Sequence, residues 1–303
     1  MKMNGPMPVT LPRANRSIGA ILMDAGLLLP EDAERILLLQ QQENLRFGEA
    51  AMRLGLLTEA DLQFALARQF AYPYLRATAD RKPVSDELVA AYHPFSPMAE
   101  HLRAVRSQIM LRWIDKAEQR HVFTVVGTER GEGRSYLAAN LAIVFAQLGE
   151  RTLLIDADLR TPRQHDLFNL QNKVGLSTYL AGRSRDESII RITELTGLFV
   201  LPSGPVPPNP IELLSRQSFD ELLTYVRSNY DVVIIDTPGL SVGDDAALIA
   251  VRAGAAVAVA RGHQTRVAAF ADMVQGLTNA GVAVVGSVLN EVPEKKHKAK
   301  DKL

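Results

Sequence analysis

The sequence predicts an α/β fold: a mostly parallel sheet flanked by helices, preceded by a small all-helical domain of two repeats. Three observations carry the prediction. From residue 122 onward, six short β-branched apolar runs alternate with helical stretches, the pattern of strands buried on both faces of a parallel sheet. The first run leads through a glycine loop into a helix start, "VVGTERGEGRSYLAANLA" over 125–142. Near the N-terminus, "IGAILMDAGLLLPEDAERILLLQ" (18–40) aligns without a gap on "FGEAAMRLGLLTEADLQFALARQ" (47–69).

In chain order, residues 1–15 carry Pro6, Pro8 and Pro12 and read as a loose leader. Residues 16–75 form the repeat domain, in which Gly19 matches Gly48, Gly26 matches Gly55, Asp32 matches Asp61 and Gln40 matches Gln69. Each copy reads as a short helix, a glycine C-cap and a second amphipathic helix, with Pro30 and Thr58 placed to open the second helices. Residues 76–96, with Pro83 and Pro94 and little periodicity, read as a linker. A helix is predicted from about Pro97 to Lys116. The domain at 97–292 then supplies the apolar runs at 122–126, 152–158, 198–202, 231–238, 254–260 and 283–290. The basic tail, 293–303, reads as a solvated end.

Composition removes several function classes. The 303 residues carry 34 Lys+Arg against 34 Asp+Glu, so no global field draws the chain to nucleic acid. The absence of cysteine excludes disulfides, thiolate zinc sites and a cysteine nucleophile. Apolar runs such as 253–260 fall far short of the roughly 20 residues of a membrane helix, and no signal peptide is evident. The expected setting is the cytoplasm.

The loop chemistry is an anion site. A strand, a glycine loop and a helix N-terminus present backbone N–H groups and a positive dipole end together. Gly131 and Gly133 permit close backbone approach. A ligand-free glycine turn is the alternative reading of the loop alone. Asp156 and Asp158 stand two apart at the end of one run, where strand alternation points both at one site, and Asp236 ends another. With Ser135 these acids offer hard oxygen ligands to magnesium on a nucleotide.

The ordered motifs "GEGRS", "LLIDADLRTPR", "LPSGPVPPNPIELL", "DVVIIDTPG" and "GSVLN", within residues 97–290, resemble the bacterial tyrosine kinases. These are deviant-Walker P-loop ATPases, and the resemblance is strongest to the exopolysaccharide chain-length-determinant tyrosine kinases. It implies ATP and Mg2+ as cofactors. It also implies a role for each matched residue: the backbone of Gly131, Glu132, Gly133, Arg134, Ser135 and Tyr136 cradles phosphate, and Ser135, Asp156 and Asp236 hold magnesium. Arg134, Asp156 and Asp158 serve catalysis, and Asn290 contacts the adenine edge. DNA-partitioning and division-site relatives carry a lysine where this chain has Glu129, which separates it from that branch.

The resemblance further implies protein tyrosine substrates and an activating membrane chain-length-determinant protein, hence a peripheral position at the inner membrane. Glu100, Arg103 and Arg106, three apart on the helix before the sheet, match a motif for ring-like self-assembly; a solvated charged face is the alternative. The repeats resemble the N-terminal domain of type II secretion and pilus ATPases, some of which bind cyclic di-GMP. Arg46-Phe47-Gly48 fits that motif, whereas Ser17-Ile18-Gly19 has Arg16 one residue early, and a helical docking module is the alternative.

Two departures bear on activity. Arg134 replaces the loop lysine, so nucleotide binding is expected to survive while phosphoryl transfer slows. Gly127 and Arg130, where the family loop has serine and proline, are changes the site is expected to tolerate. The tail lacks the tyrosine cluster that neighbouring subunits phosphorylate; all seven tyrosines lie upstream. A tyrosine kinase regulating polysaccharide polymerisation and export, and a nucleotide-gated assembly switch with little transfer, are the two readings carried forward.

Overall fold

The computed structural model describes residues 17–69, 75, 82–116 and 121–291. The chain divides between Arg76 and Ala77 into two compact units. The leader at 1–15 and the tail at 293–303 lie outside the described residues.

The first unit holds four helices: α1 (Ile18–Asp24), α2 (Pro30–Glu43), α3 (Phe47–Arg53) and α4 (Glu59–Gln69). Its internal repeat is visible atom by atom. Gly26 and Gly55 both sit at φ +67°. Each closes a Schellman turn, Gly26 N–H to Met23 O and Leu27 N–H to Leu22 O in one copy, Gly55 N–H to Met52 O and Leu56 N–H to Ala51 O in the other. Pro30 occupies the first position of α2, and Thr58 with Asp61 forms reciprocal capping bonds before α4. The amphipathic faces close on one core of Leu22, Ile36, Ala50, Ala51, Leu62 and Ala65. Gly48 lies where a side-chain carbon would meet Leu62 at 3.0 Å, so the second matched glycine is a packing contact.

The second unit is built on a seven-stranded sheet in the order β3-β4-β2-β5-β1-β6-β7. Its strands are β1 (Val122–Gly127), β2 (Thr152–Asp156), β3 (Ile190–Arg191), β4 (Leu198–Leu201), β5 (Val232–Asp236), β6 (Ala255–Arg261) and β7 (Ala283–Asn290). All neighbours are parallel except β3 with β4. The helices are α5 (Val89–Tyr92), α6 (Pro97–Arg112), α7 (Arg134–Gln147), α8 (Gln164–Leu167), α9 (Leu176–Leu180), α10 (Pro210–Leu214), α11 (Gln217–Asn229), α12 (Asp245–Ala253) and α13 (Val267–Asn279). Strands β1, β2 and β5 are buried throughout, as apolar runs covered on both faces should be. Helix α7 is buried almost all round. Its sequence is apolar all round for that reason.

Residues 82–96, expected as linker, pack into this unit instead. Val84, Leu88, Ala90, Ala91 and Tyr92 are buried. Asn140 and Gln147 of α7 bond the segment's backbone, Asn140 Oδ1 accepting from Ala90 N–H at 3.0 Å and Gln147 Nε2 donating to Ala90 O at 2.8 Å. Only one turn of helix forms there, too short to leave a period in the sequence. The predicted helix at 97–116 ends at Arg112 and continues as a 3-10 turn at Ile114–Lys116. Among the described residues, no helix is long and apolar enough to cross a membrane.

Candidate functional site

The site forms where β1, β2 and β5 end. In the parallel register Asp156 of β2 stands directly opposite Asp236 of β5. Adjacent parallel strands lie about 4.8 Å apart, so the two carboxylates emerge side by side. Both are fully buried. Burial first, then the charge of Asp236, raises the Asp156 carboxyl well above its usual range, against the backbone N–H groups of Gln164 and Arg163 that pull it down. Burial pushes Asp236 up to about 6, while Gln164, Ser135 and the Arg134 charge draw it back.

Asp158 departs from the strand argument. Strand β2 stops at Asp156, so alternation does not aim Asp158. A turn aims it instead: its carboxylate accepts from Arg160 N–H at 3.1 Å, Thr161 N–H at 2.8 Å and Thr161 Oγ1 at 3.0 Å. Arg160 is in turn ion-paired with buried Asp245 at the start of α12.

The glycine loop runs from β1 to α7. Gly131 and Gly133 take φ +85° and +96°, values only glycine adopts cheaply. A side-chain carbon at Gly133 would lie 2.2 Å from Asn290 Nδ2. That amide donates to Glu132 O at 3.0 Å, so Asn290 meets the loop itself. The turn after β6 braces the same loop: Arg261 donates to Gly131 O at 3.0 Å, Gln264 to Arg130 O at 3.3 Å, and Thr265 Oγ1 to Glu132 Oε1 at 2.6 Å.

Arg134 is folded inward. Its Nε donates to Thr237 O at 3.0 Å and its Nη1 to Glu129 O. Nη1 also stands 3.6 Å from Glu132 Oε2, and Glu132 is fully buried. Gly127 makes the space: a side-chain carbon there would sit 2.4 Å from Glu132 Oε2 and 3.2 Å from Arg134 Cδ. The glycine at 127 and the arginine at 134 are thus one packing solution, in which the bulkier cation fills the room a serine would take.

These residues fit a magnesium–nucleotide. Two carboxylates meet at the ends of β2 and β5, and Asp236 Oδ1 is buried with no hydrogen-bond partner. Among the described residues no group of three His, Asp or Glu could hold a metal alone. The donor set therefore suits an ion that brings phosphate and water ligands with it, as magnesium does. Beside the loop opens a cleft of about 500 Å³ lined by His101, Gly133, Tyr136, Leu137 and Asn290. Burial, then Glu87, raises the Tyr136 hydroxyl.

Sequence reasoning missed Gln164 and Thr265. Gln164 follows Asp156 at the start of α8, and nothing in its own surroundings marks it as a neighbour of Ser135. Glu100 and Arg103 pair with each other, Arg103 also reaches Pro94 O, and Arg106 donates to Val144 O at 2.7 Å. All three are committed to contacts within this unit.

Residues 121–255 match the family described as AAA domain. Tyrosine-protein kinase YwqD of Bacillus subtilis is 37% identical over 210 residues, 69% of this chain and 88% of that protein. Tyrosine-protein kinase etk of Escherichia coli K12 is 34% identical over 204 residues, 67% of this chain and 28% of that protein. The chain thus spans most of the first and little more than a quarter of the second. The kinase domain of Escherichia coli tyrosine kinase ETK superposes with a TM-score of 0.67 at 31% identity, covering 75% of this chain and 89% of that one. The septum site-determining protein MinD of Pyrococcus horikoshii, complexed with Mg-ADP, shares the fold at 22% identity and a TM-score of 0.50, over 56% of this chain and 70% of that one.

Proposed function

Because this chain belongs to the bacterial tyrosine-protein kinases of the P-loop type, we propose that it transfers the γ-phosphoryl group of ATP to tyrosine hydroxyls of other proteins, regulating exopolysaccharide polymerisation and export. The observation that carries the reading is the Asp156–Asp236 pair, buried side by side at the strand ends with Asp236 Oδ1 unbonded. The loop amides at 131–136 would bind the phosphates, and Ser135 with Asp236 would hold magnesium, which would supply neutralisation of the phosphate charge. Asp156 and the turn-held Asp158 orient the incoming hydroxyl. The cleft lined by Tyr136, His101 and Asn290 accommodates the nucleoside.

A second reading, a nucleotide-gated assembly switch with little transfer, is favoured by two observations. Arg134 is spent on the carbonyls of Glu129 and Thr237. Of the described tyrosines, Tyr92 and Tyr230 are buried and Tyr136, Tyr179 and Tyr225 half-buried, so none offers itself as a ready acceptor. Under either reading a membrane chain-length-determinant protein is the activating partner, and self-assembly through Glu100, Arg103 and Arg106 would use the exposed Glu100 and require Arg103 and Arg106 to exchange their contacts within the unit. For the repeat unit, exposed Arg46 supports a cyclic di-GMP contact, while the half-buried Phe47, packed on Gly19, supports a docking module.

Labelled ATP with magnesium, given to the chain alone and with the cytosolic segment of its membrane partner, separates the readings. The kinase yields phosphotyrosine that Asp156→Asn abolishes. Nucleotide binding without phosphotyrosine leaves the switch.

A further inference from the structure

Gln164 is fully buried at the first position of α8 and joins three segments of the site. Its backbone N–H donates to Asp156 Oδ2 at 2.9 Å. Its Nε2 donates to Asp236 Oδ2 at 2.8 Å and to Ser135 O at 3.1 Å. Both atoms that Nε2 faces are acceptors, which fixes the amide: the NH2 group must point at them, and Oε1 must point away. That oxygen is buried and accepts no hydrogen bond.

We propose that Gln164 is a positioning residue of the magnesium–nucleotide site, its amide fixing Asp236 Oδ2 against the Ser135 backbone so that the carboxylate is held in place for the ion. The inference rests on the nucleotide reading above. It accounts for an amide at this position. A glutamate would set a third carboxylate against Asp156 and Asp236, and an apolar side chain would release Asp236 Oδ2 and the Ser135 carbonyl together.

Fluorescent ADP titrated into the full chain, in EDTA and again in millimolar MgCl2, tests the inference. Gln164→Met keeps the volume without the hydrogen bonds. Gln164→Asn keeps the amide but is one methylene too short to span both acceptors, and it decides the question if the methionine variant does not fold by circular dichroism. We expect both variants to bind ADP in EDTA within about twofold of wild type and to lose at least about tenfold of the tightening that Mg2+ gives wild type. A folded variant that keeps the wild-type Mg2+ gain overturns the inference, as does an equal loss in both buffers. Wild type that binds ADP in neither buffer overturns the nucleotide reading and this inference with it.

Discussion

Gly127 and Arg134 are coupled through Glu132, and their separate substitution should show it. Gly127→Ser places a side chain into the 2.4 Å approach of Glu132 Oε2, an overpacking expected to destabilise by about 1–3 kcal/mol. Arg134→Lys alone leaves that space unfilled and Glu132 with a thinner partner. The double variant should be less destabilised than the sum of the two by at least about 0.5 kcal/mol in urea melts, the sign of residues in contact. Strict additivity would refute the coupling. The Asp236 carboxyl, raised from 3.8 to about 6, carries a second expectation. A carboxyl raised on folding stabilises the ligand-free protein below its unfolded value, and that stability is lost as pH rises through about 6. The loss is roughly 3 kcal/mol for such a displacement. Asp236→Asn should therefore stabilise the ligand-free protein most near neutral pH, with the advantage shrinking below pH 6. Binding of Mg·ADP to wild type should weaken over the same interval, because the ion needs the carboxylate. The surrounding charges that modulate this window are Asp156, Asp158 and Arg134. Among these residues the sequence disclosed the acids and the loop glycines, since each stands in a motif of its own. It could not disclose the inward fold of Arg134 or the bridge made by Gln164, because those depend on atoms brought together across the sheet.

At the scale of elements, the parallel strands and the helix after the glycine loop were legible from apolar runs alone. Strand β3, two residues long and antiparallel, leaves no period to read. The segment at 82–96 is not legible in the sequence because buried side-chain amides on α7, not an amphipathic pattern, hold it in place. The repeat unit is legible down to its caps, which makes its energetics predictable. Gly55 takes φ +67° with open space around it, so Gly55→Ala should cost only the backbone term, about 1 kcal/mol. At Gly48, inside α3, the helix propensity that alanine gains, about 1 kcal/mol, opposes its 3.0 Å contact with Leu62, so Gly48→Ala should be less costly than Gly55→Ala unless Leu62 cannot shift. Thermal melts followed by circular dichroism would rank the two, and a Gly48→Ala cost above that of Gly55→Ala would show that Leu62 is held rigidly against the glycine.

For the molecule as a whole, the chain divides after Arg76 into two compact units, and a ligand is expected to act first on the unit that binds it. A ligand at about 100 times its dissociation constant stabilises the unit that binds it by about 2.7 kcal/mol. Saturating Mg·ADP should raise the melting transition of the sheet-bearing unit and leave that of the helical repeats where it was. A parallel rise in both would mean that the units melt as one.

The brace on the glycine loop has a kinetic meaning. Arg261, Gln264 and Thr265 grip it from the turn at the end of β6, and Asn290 holds Glu132 from β7. A cradle shaped by its scaffold has already met the entropy of ordering before any phosphate arrives. Capture then requires little rearrangement, and discrimination between guests falls to the rate at which they leave.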